Sequence, residues 1–226
     1  RITDGLAAAR ASLAFDERVL AHGPQSLPLR QDLASVHGRI GMFLMKLGDH
    51  DAALPHFQQG YDLAVTLLEA DPANVTFQRR LSNGHSHFAH LYARQDDHVA
   101  AWRHQQAALA LRQRLVDQNP TDRQASTDLM VSELETGDVL ARRGDFAAAI
   151  DMYRRAIARG ESLVAADARY VYYRLTLASS LTRLARALTS LGRAEDARPL
   201  VARASDLVQS ASSADPADGR LRLGLA

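Results

Sequence analysis

Nine histidines and no cysteine set the terms for metal or acid–base chemistry in this chain. His85, His87 and His90 lie close together, and His87 and His90, three apart, share a helix face. A zinc site needs three or four ligands converging at about 2 Å. No HExxH run is present, and no carboxylate or thiolate stands at a diagnostic spacing. The histidines are therefore read as polar surface or groove residues, and neither a metal nor another cofactor is expected. His50 with His98, and His56 with His104, recur at one offset and are expected to stack on neighbouring units of a repeat. For catalysis the motifs are missing: no G-x-S-x-G, no phosphate-binding loop, no dinucleotide fingerprint and no kinase loop. The many carboxylates fall in ordinary helix pairings, so no enzyme is expected. Tyr170, Tyr172 and Tyr173 form an aromatic cluster. It is either an exposed contact for a partner or, the preferred reading, the apolar start of a helix. Arg79-Arg80 and Arg154-Arg155 lack interleaved aromatics and do not make a nucleic-acid stripe.

The elements that carry these residues follow from the bulk and the period. The chain has 226 residues, 46% of them hydrophobic, with a net charge of +1. No bulk field draws it to nucleic acid or to an anionic membrane. No apolar run approaches the roughly 18–20 residues that span a bilayer. The residues from Arg1 to Arg10 contain Asp4 and no long apolar core, so no signal peptide is read. With no cysteine, the chain suits a reducing cytoplasm. Lys46 is the only lysine, a usage that fits a GC-rich bacterial genome.

Self-similarity organises the whole chain. Pro24, Pro72, Pro120 and Pro216 fall on a 48-residue period, with Ala168 in the open slot. Gly23, Asp71, Asn119, Asp167 and Asp215 precede them and favour turns. Four further columns keep the same phase without an insertion: Gly48, Asp96, Gly144 and Gly192; Leu33, Leu81, Leu129 and Leu177; Ala53, Ala101, Ala149 and Ala197; and the small residues Gly41, Ala89, Gly137 and Ala185. Each unit reads as two helices. The first carries an apolar stripe such as Leu33, Val36, Ile40, Phe43, Leu44 and Leu47, and stops at the Gly48 column. The second starts beside Asp49 or Asp145, whose carboxylate can hold free amides, and runs to the next Asp-Pro. No segment alternates as a strand does.

These columns resemble the tetratricopeptide repeat. Gly41 with Ala53-x₃-Phe57 and Gly137 with Ala149-x₃-Tyr153 match its small-residue, A-x₃-aromatic pattern, whereas Gln105 and Val201 depart from it. The tryptophan expected early in the first helix is replaced by His37, His85, Glu133 and Leu181. The family repeat has 34 residues. Here each helix gains about two turns, as in the long arrays of bacterial multidomain proteins, some attached to serine/threonine kinase domains. The resemblance implies an all-α, right-handed superhelical solenoid of antiparallel hairpins over residues 1–226. Units are expected at 25–72, 73–120, 121–168 and 169–216, with partial units at 1–24 and 217–226. Ile2 aligns with His50 and Leu225 with Leu177, and there is no initiator Met, so the chain is read as a piece of a longer array. A lone capping helix from Ile2 to His22 is the alternative.

The resemblance also implies a site. The family's inward positions map here onto three columns: Ser35, Asn83, Val131 and Ser179; Met42, His90, Asp138 and Arg186; and Lys46, Arg94, Arg142 and Ser190. Lys46, Arg94 and Arg142 form a basic ladder that could hold an acidic segment of a bound peptide. Equally, cations near helix C-termini complement the helix dipole. The expected function is a protein- or peptide-binding scaffold, a regulatory or targeting module of a larger bacterial protein. The alternative is self-association or a rigid spacer.

Overall fold

The computed structural model describes residues 2–22 and 26–214. Pro24 and Pro216, with Gly23 and Asp215 before them, and the partial unit 217–226 lie outside the described residues. Those residues form nine α-helices and no strand: α1 (Ile2–His22), α2 (Leu27–Leu47), α3 (His50–Ala70), α4 (Val75–Arg94), α5 (His98–Gln118), α6 (Arg123–Arg142), α7 (Phe146–Ala166), α8 (Val171–Ser190) and α9 (Ala194–Ala214). Every helix has 20 or 21 residues, about 30 Å of rise. Hairpin arms of matched length are what the 48-residue period predicts.

The in-phase columns have local causes. Gly48, Gly144 and Gly192 take left-handed φ values of 82°, 81° and 75°, and Asp96 takes 58°. At each of these ends the amide directly after the left-handed residue reaches back: Asp49 to Leu44 O, Asp97 to Tyr92 O, Asp145 to Leu140 O and Arg193 to Leu188 O, at 2.9–3.0 Å. That is the reversal that a left-handed residue makes available at a helix C-terminus. Three of those four residues then cap the next helix. Asp49, Asp97 and Asp145 accept from the amides of Ala52, Ala100 and Ala148. One turn thus stops a helix and starts its antiparallel partner.

The contacts form two compact bodies. The first takes in α1–α4 and α5 through Leu115; the second starts at Val116 and holds α6–α9. The first is built on Leu6, Val36, Ile40, Leu44, Ala53, Phe57, Phe88 and Leu91. In it α2 packs on α1 and α3, and touches α4. The second buries Leu129, Met130, Leu134, Ala149, Tyr153, Leu163, Leu177 and Leu181. There α6 packs on α7, α7 on α8 and α8 on α9, and α6 also touches α8.

In two of the four hairpins the small-residue column is a seat for a ring. A Cβ built on Gly41 would lie 2.3 Å from Phe57 Cε1, and one on Gly137 would lie 2.4 Å from Tyr153 Cε1. The three atoms nearest to such a Cβ on Gly41 all belong to Phe57, four residues after Ala53 on the other arm of the hairpin. The other two hairpins carry alanine in this column, and the position of the ring holds Gln105 and Val201.

Candidate binding grooves

In the first body, side chains of α2 and α4 border a recess of about 620 Å³. Asp32, Ser35, Arg39, Met42, Phe43 and Lys46 come from α2 at helical spacing; Arg80, Asn83, Gly84 and His87 come from α4; Phe57 and Gly60 of α3 lie beneath. His87 stacks on Phe57, with ring centroids 4.9 Å apart, and so fixes one wall. Burial pulls Arg80 below the ordinary arginine range; Asp32 opposes this, and Arg39 and Arg79 add to it. Three of the lining side chains are basic (Arg39, Lys46, Arg80) and one is acidic (Asp32). The surface is thus cationic over a partly apolar base.

In the second body, α6, α7 and α8 border a smaller recess of about 300 Å³, lined by Asp138, Ala141, Arg142, Phe146, Tyr153, Arg183, Arg186, Ala187 and Ser190. Here Asp138 is engaged internally. Tyr153 Oη donates to its Oδ1 at 2.9 Å, and Arg183 Nη1 lies 3.3 Å from its Oδ2. Burial, reinforced by the Asp138 charge, pushes the Tyr153 phenol well above its usual range. This phenol is a fixed hydrogen-bond donor and not an acid at neutral pH.

The expected columns divide between these surfaces. Ser35, Met42, Lys46 and Asn83 line the first recess; Asp138, Arg142, Arg186 and Ser190 line the second. Asn83 also accepts from Arg112 Nη2 at 3.1 Å, and the Ser35 and Ser190 hydroxyls donate to carbonyls in their own helices. His90, Arg94, Val131 and Ser179 line neither recess. Arg94 is exposed in the last turn of α4, and His90, Val131 and Ser179 are half-buried. A further in-phase column, Arg39, His87, Glu135 and Arg183, supplies lining residues that the three expected columns omit. Its signal was available: Arg39 is four residues from Ser35 and three from Met42, on one helix face.

A tetratricopeptide-repeat family model matches residues 34–64, and another matches residues 177–218. The first span runs from α2 into α3 and the second starts in α8 and covers α9, so each falls on one hairpin. The chain is a tetratricopeptide-like repeat array. No curated protein sequence matches it. Among solved structures it is similar to a putative kinesin light chain with nearly identical TPR-like repeats from Podosopora anserina, at 15% identity over 91% of this chain and 86% of that one, TM-score 0.56. It is also similar to BtubC (BKLC) from P. vanneervenii, at 15% identity over 93% and 92%, TM-score 0.53. A third is TTC0263, a thermophilic TPR protein of Thermus thermophilus, at 20% identity over 96% and 89%, TM-score 0.51. At these identities the likeness is one of fold. Repeats of this kind serve as protein-interaction scaffolds. Among the described residues no helix is long and apolar enough to cross a membrane. Nor, among them, do three or more His, Asp or Glu side chains converge as a metal would require.

Where the family pattern has tryptophan, three of the four hairpins substitute partly buried polar pairs. His37 and His56 join Nδ1 to Nδ1 at 3.0 Å across the first full hairpin, and His85 and His104 repeat this at 3.0 Å one period later. The expected stacking of His56 and His104 between units gives way to pairing inside each hairpin. Burial first, and the partner imidazole second, lower His37 and His85 to about 4. Each pair is therefore neutral at pH 7, one ring donating and the other accepting. In the third hairpin Glu133 takes the position of His37 and His85. It receives a fork from Arg159, Nε at 3.2 Å and Nη2 at 3.1 Å. Burial still holds the Glu133 carboxyl above its usual range. In the fourth hairpin Leu181, fully buried, fills the slot with carbon.

Proposed function

We propose that the array is a recognition scaffold that binds a protein segment bearing acidic side chains in the α2–α4 recess. The observation that carries this reading is the composition of that surface. Arg39, Lys46 and Arg80 offer donors around Met42 and Phe43, against the single carboxylate of Asp32. Guanidinium groups bind carboxylates through paired hydrogen bonds, and a half-buried one such as Arg80 does so with little competition from water. In the second body Arg142 and Arg186 offer a similar, smaller cationic surface. On this reading Lys46 acts within the recess and Arg94, exposed in the same body, is a peripheral cation that attracts the segment, and the array is a regulatory or targeting module of a larger bacterial protein in the cytoplasm. A kinase partner domain is the association suggested by the long repeat. No catalytic step is assigned.

The test is selection from a random peptide library on the immobilised chain, repeated on the Arg39→Gln/Lys46→Gln/Arg80→Gln variant. The reading expects peptides enriched in Asp, Glu or a free C-terminal carboxylate, bound roughly tenfold more weakly by the variant. Peptides without acidic groups, or undiminished affinity, would contradict it. A second reading, self-association, draws on Phe15 of α1, 59% exposed, with Val19 beside it at 39%. Sedimentation of the wild type against Phe15→Ser separates the two, since only self-association makes the mass depend on concentration.

A further inference from the structure

At the opening of α8 the array departs from its own rule. Ser26, Asn74 and Asp122, at the equivalent position of the other first helices, each cap a helix with a side-chain oxygen. Tyr170 stands in their place and makes no side-chain cap. The exchange gives up a stabilising hydrogen bond and sets an aromatic ring, 51% exposed, at the surface. Two residues on, where Thr76 and Gln124 stand in earlier units, Tyr172 is 46% exposed. Tyr173, the third of the cluster, is buried at 7%. It is in phase with the buried Phe77 and Ala125 and belongs to the core. It also anchors Tyr170, ring to edge, with centroids 4.6 Å apart and planes at 81°. Tyr172 lies 6.2 Å from Tyr170 at 49°. Packing accounts for Tyr173 but not for the other two rings.

A recess of about 400 Å³ opens beside them, completed by Gln124, Thr127 and Asp128 of α6 and by Asp167. Its lining carries two carboxylates and no basic side chain. Asp128 Oδ1 accepts from Gln124 Nε2 at 2.8 Å, and Asp167 Oδ1 accepts from the Arg169 amide at 3.1 Å. These bonds hold both carboxylates in place. Ring faces carry negative potential, and an aromatic face beside a carboxylate selects a cation. A planar guanidinium can stack on one while its N–H groups fork onto the other, which a compact ammonium cannot do.

We propose that this recess takes the guanidinium of an arginine side chain from a protein partner, stacked on Tyr170 and Tyr172 and hydrogen-bonded to Asp128 and Asp167. The chemistry is opposite in sign to that of the α2–α4 recess, and the inference stands without that reading. The lost helix cap is the local cost of presenting the ring.

The experiment uses the whole chain labelled with 3-fluorotyrosine, its resonances assigned through Tyr170→Phe and Tyr172→Phe. It is titrated with acetyl-Ala-Arg-Ala-amide and, separately, with the uncharged citrulline peptide. The expected result is a saturable shift at Tyr170 and Tyr172 with the arginine peptide. Affinity should fall about fivefold or more for the citrulline peptide and for Asp128→Asn. Tyr170→Asn restores the capping residue of the other units. It should melt at or above the wild-type temperature and still lose the peptide, which separates binding from folding. Absence of a saturable shift, equal affinity for citrulline, or undiminished binding by Tyr170→Asn would each overturn the proposal.

Discussion

Replacing Gly137 by alanine should destabilise the array, although alanine is the better helix former by about 1 kcal/mol. The new Cβ would sit 2.4 Å from Tyr153 Cε1 and 2.7 Å from its Cδ1. Carbon pairs rest at roughly 3.5–4.0 Å, so ring and helix must part by about an ångström. The ring cannot simply swing aside. Tyr153 is 3% exposed, and its hydroxyl is tied to Asp138 at 2.9 Å. Overpacking of this kind costs about 1–3 kcal/mol. Moving the phenol off a charged acceptor adds roughly 1.5 kcal/mol or more. Against the propensity gain, the net loss is about 1.5–3.5 kcal/mol, a fall of roughly 3–14 °C in melting temperature for a chain of this length. The assay is urea and thermal unfolding followed by circular dichroism. Gly137→Ala combined with Tyr153→Val reproduces the pairing that already stands at Ala185 and Val201. The double variant should therefore lose less than the sum of its parts, by about 0.5–3 kcal/mol of coupling. A Gly137→Ala chain as stable as wild type, or more so, would refute the ring-seat reasoning.

Two further outcomes are expected. Asp96 is the one member of its column that adopts φ of 58° with a side chain, so Asp96→Gly should raise the urea midpoint by the equivalent of about 1 kcal/mol; a lower midpoint would contradict the assignment. His37 and His85 are held at about 4 in the fold, against about 6.5 in the unfolded chain. The unfolded state therefore takes up protons first, so stability is full above pH 6.5 and falls as pH drops from 6.5 towards 4. The slope is up to about 1.4 kcal/mol per pH unit for each histidine. His37→Leu/His85→Leu, which copies the leucine that the fourth hairpin already carries at Leu181, should flatten urea stability between pH 7.5 and pH 5, and an unchanged slope would remove the pairs as its cause.

The fold was legible because each of its stops and starts leaves a residue type behind. A left-handed turn asks for Gly48, Gly144 or Gly192, a free helix start asks for Asp49 or Asp145, and both recur with the period. The ring seat was half legible. Small residues and aromatics stood out, but which faced which depended on the crossing of two helices. The candidate site was harder to read. Periodicity relates a residue to its counterparts in other units, as with Lys46 and Arg94, but not to residues on the facing helix. Hence His37–His56 and Glu133–Arg159, which join the two arms of a hairpin, were invisible as pairs. Hence also nothing in the period singles out Arg80, and Arg39 was legible only through its place on the helix face of Ser35 and Met42, while His90 and Ser179, on equally plausible phases, line neither groove. The cluster at Tyr170 was visible as composition. Phase with Phe77 and Ala125 marks Tyr173 as the core ring, and exposure shows the other two as presented.

The central functional claim is that charge on the α2–α4 surface reads acidic groups on a bound segment. It is tested most directly by a double-mutant cycle. The affinity of one library-selected peptide, and of its Asp/Glu-to-Asn/Gln form, is measured by calorimetry on wild type and on Arg39→Gln/Arg80→Gln. The account predicts coupling of about 1 kcal/mol or more between the peptide's acids and these two arginines, shrinking with added salt. Additive losses, with no coupling at any ionic strength, would contradict it.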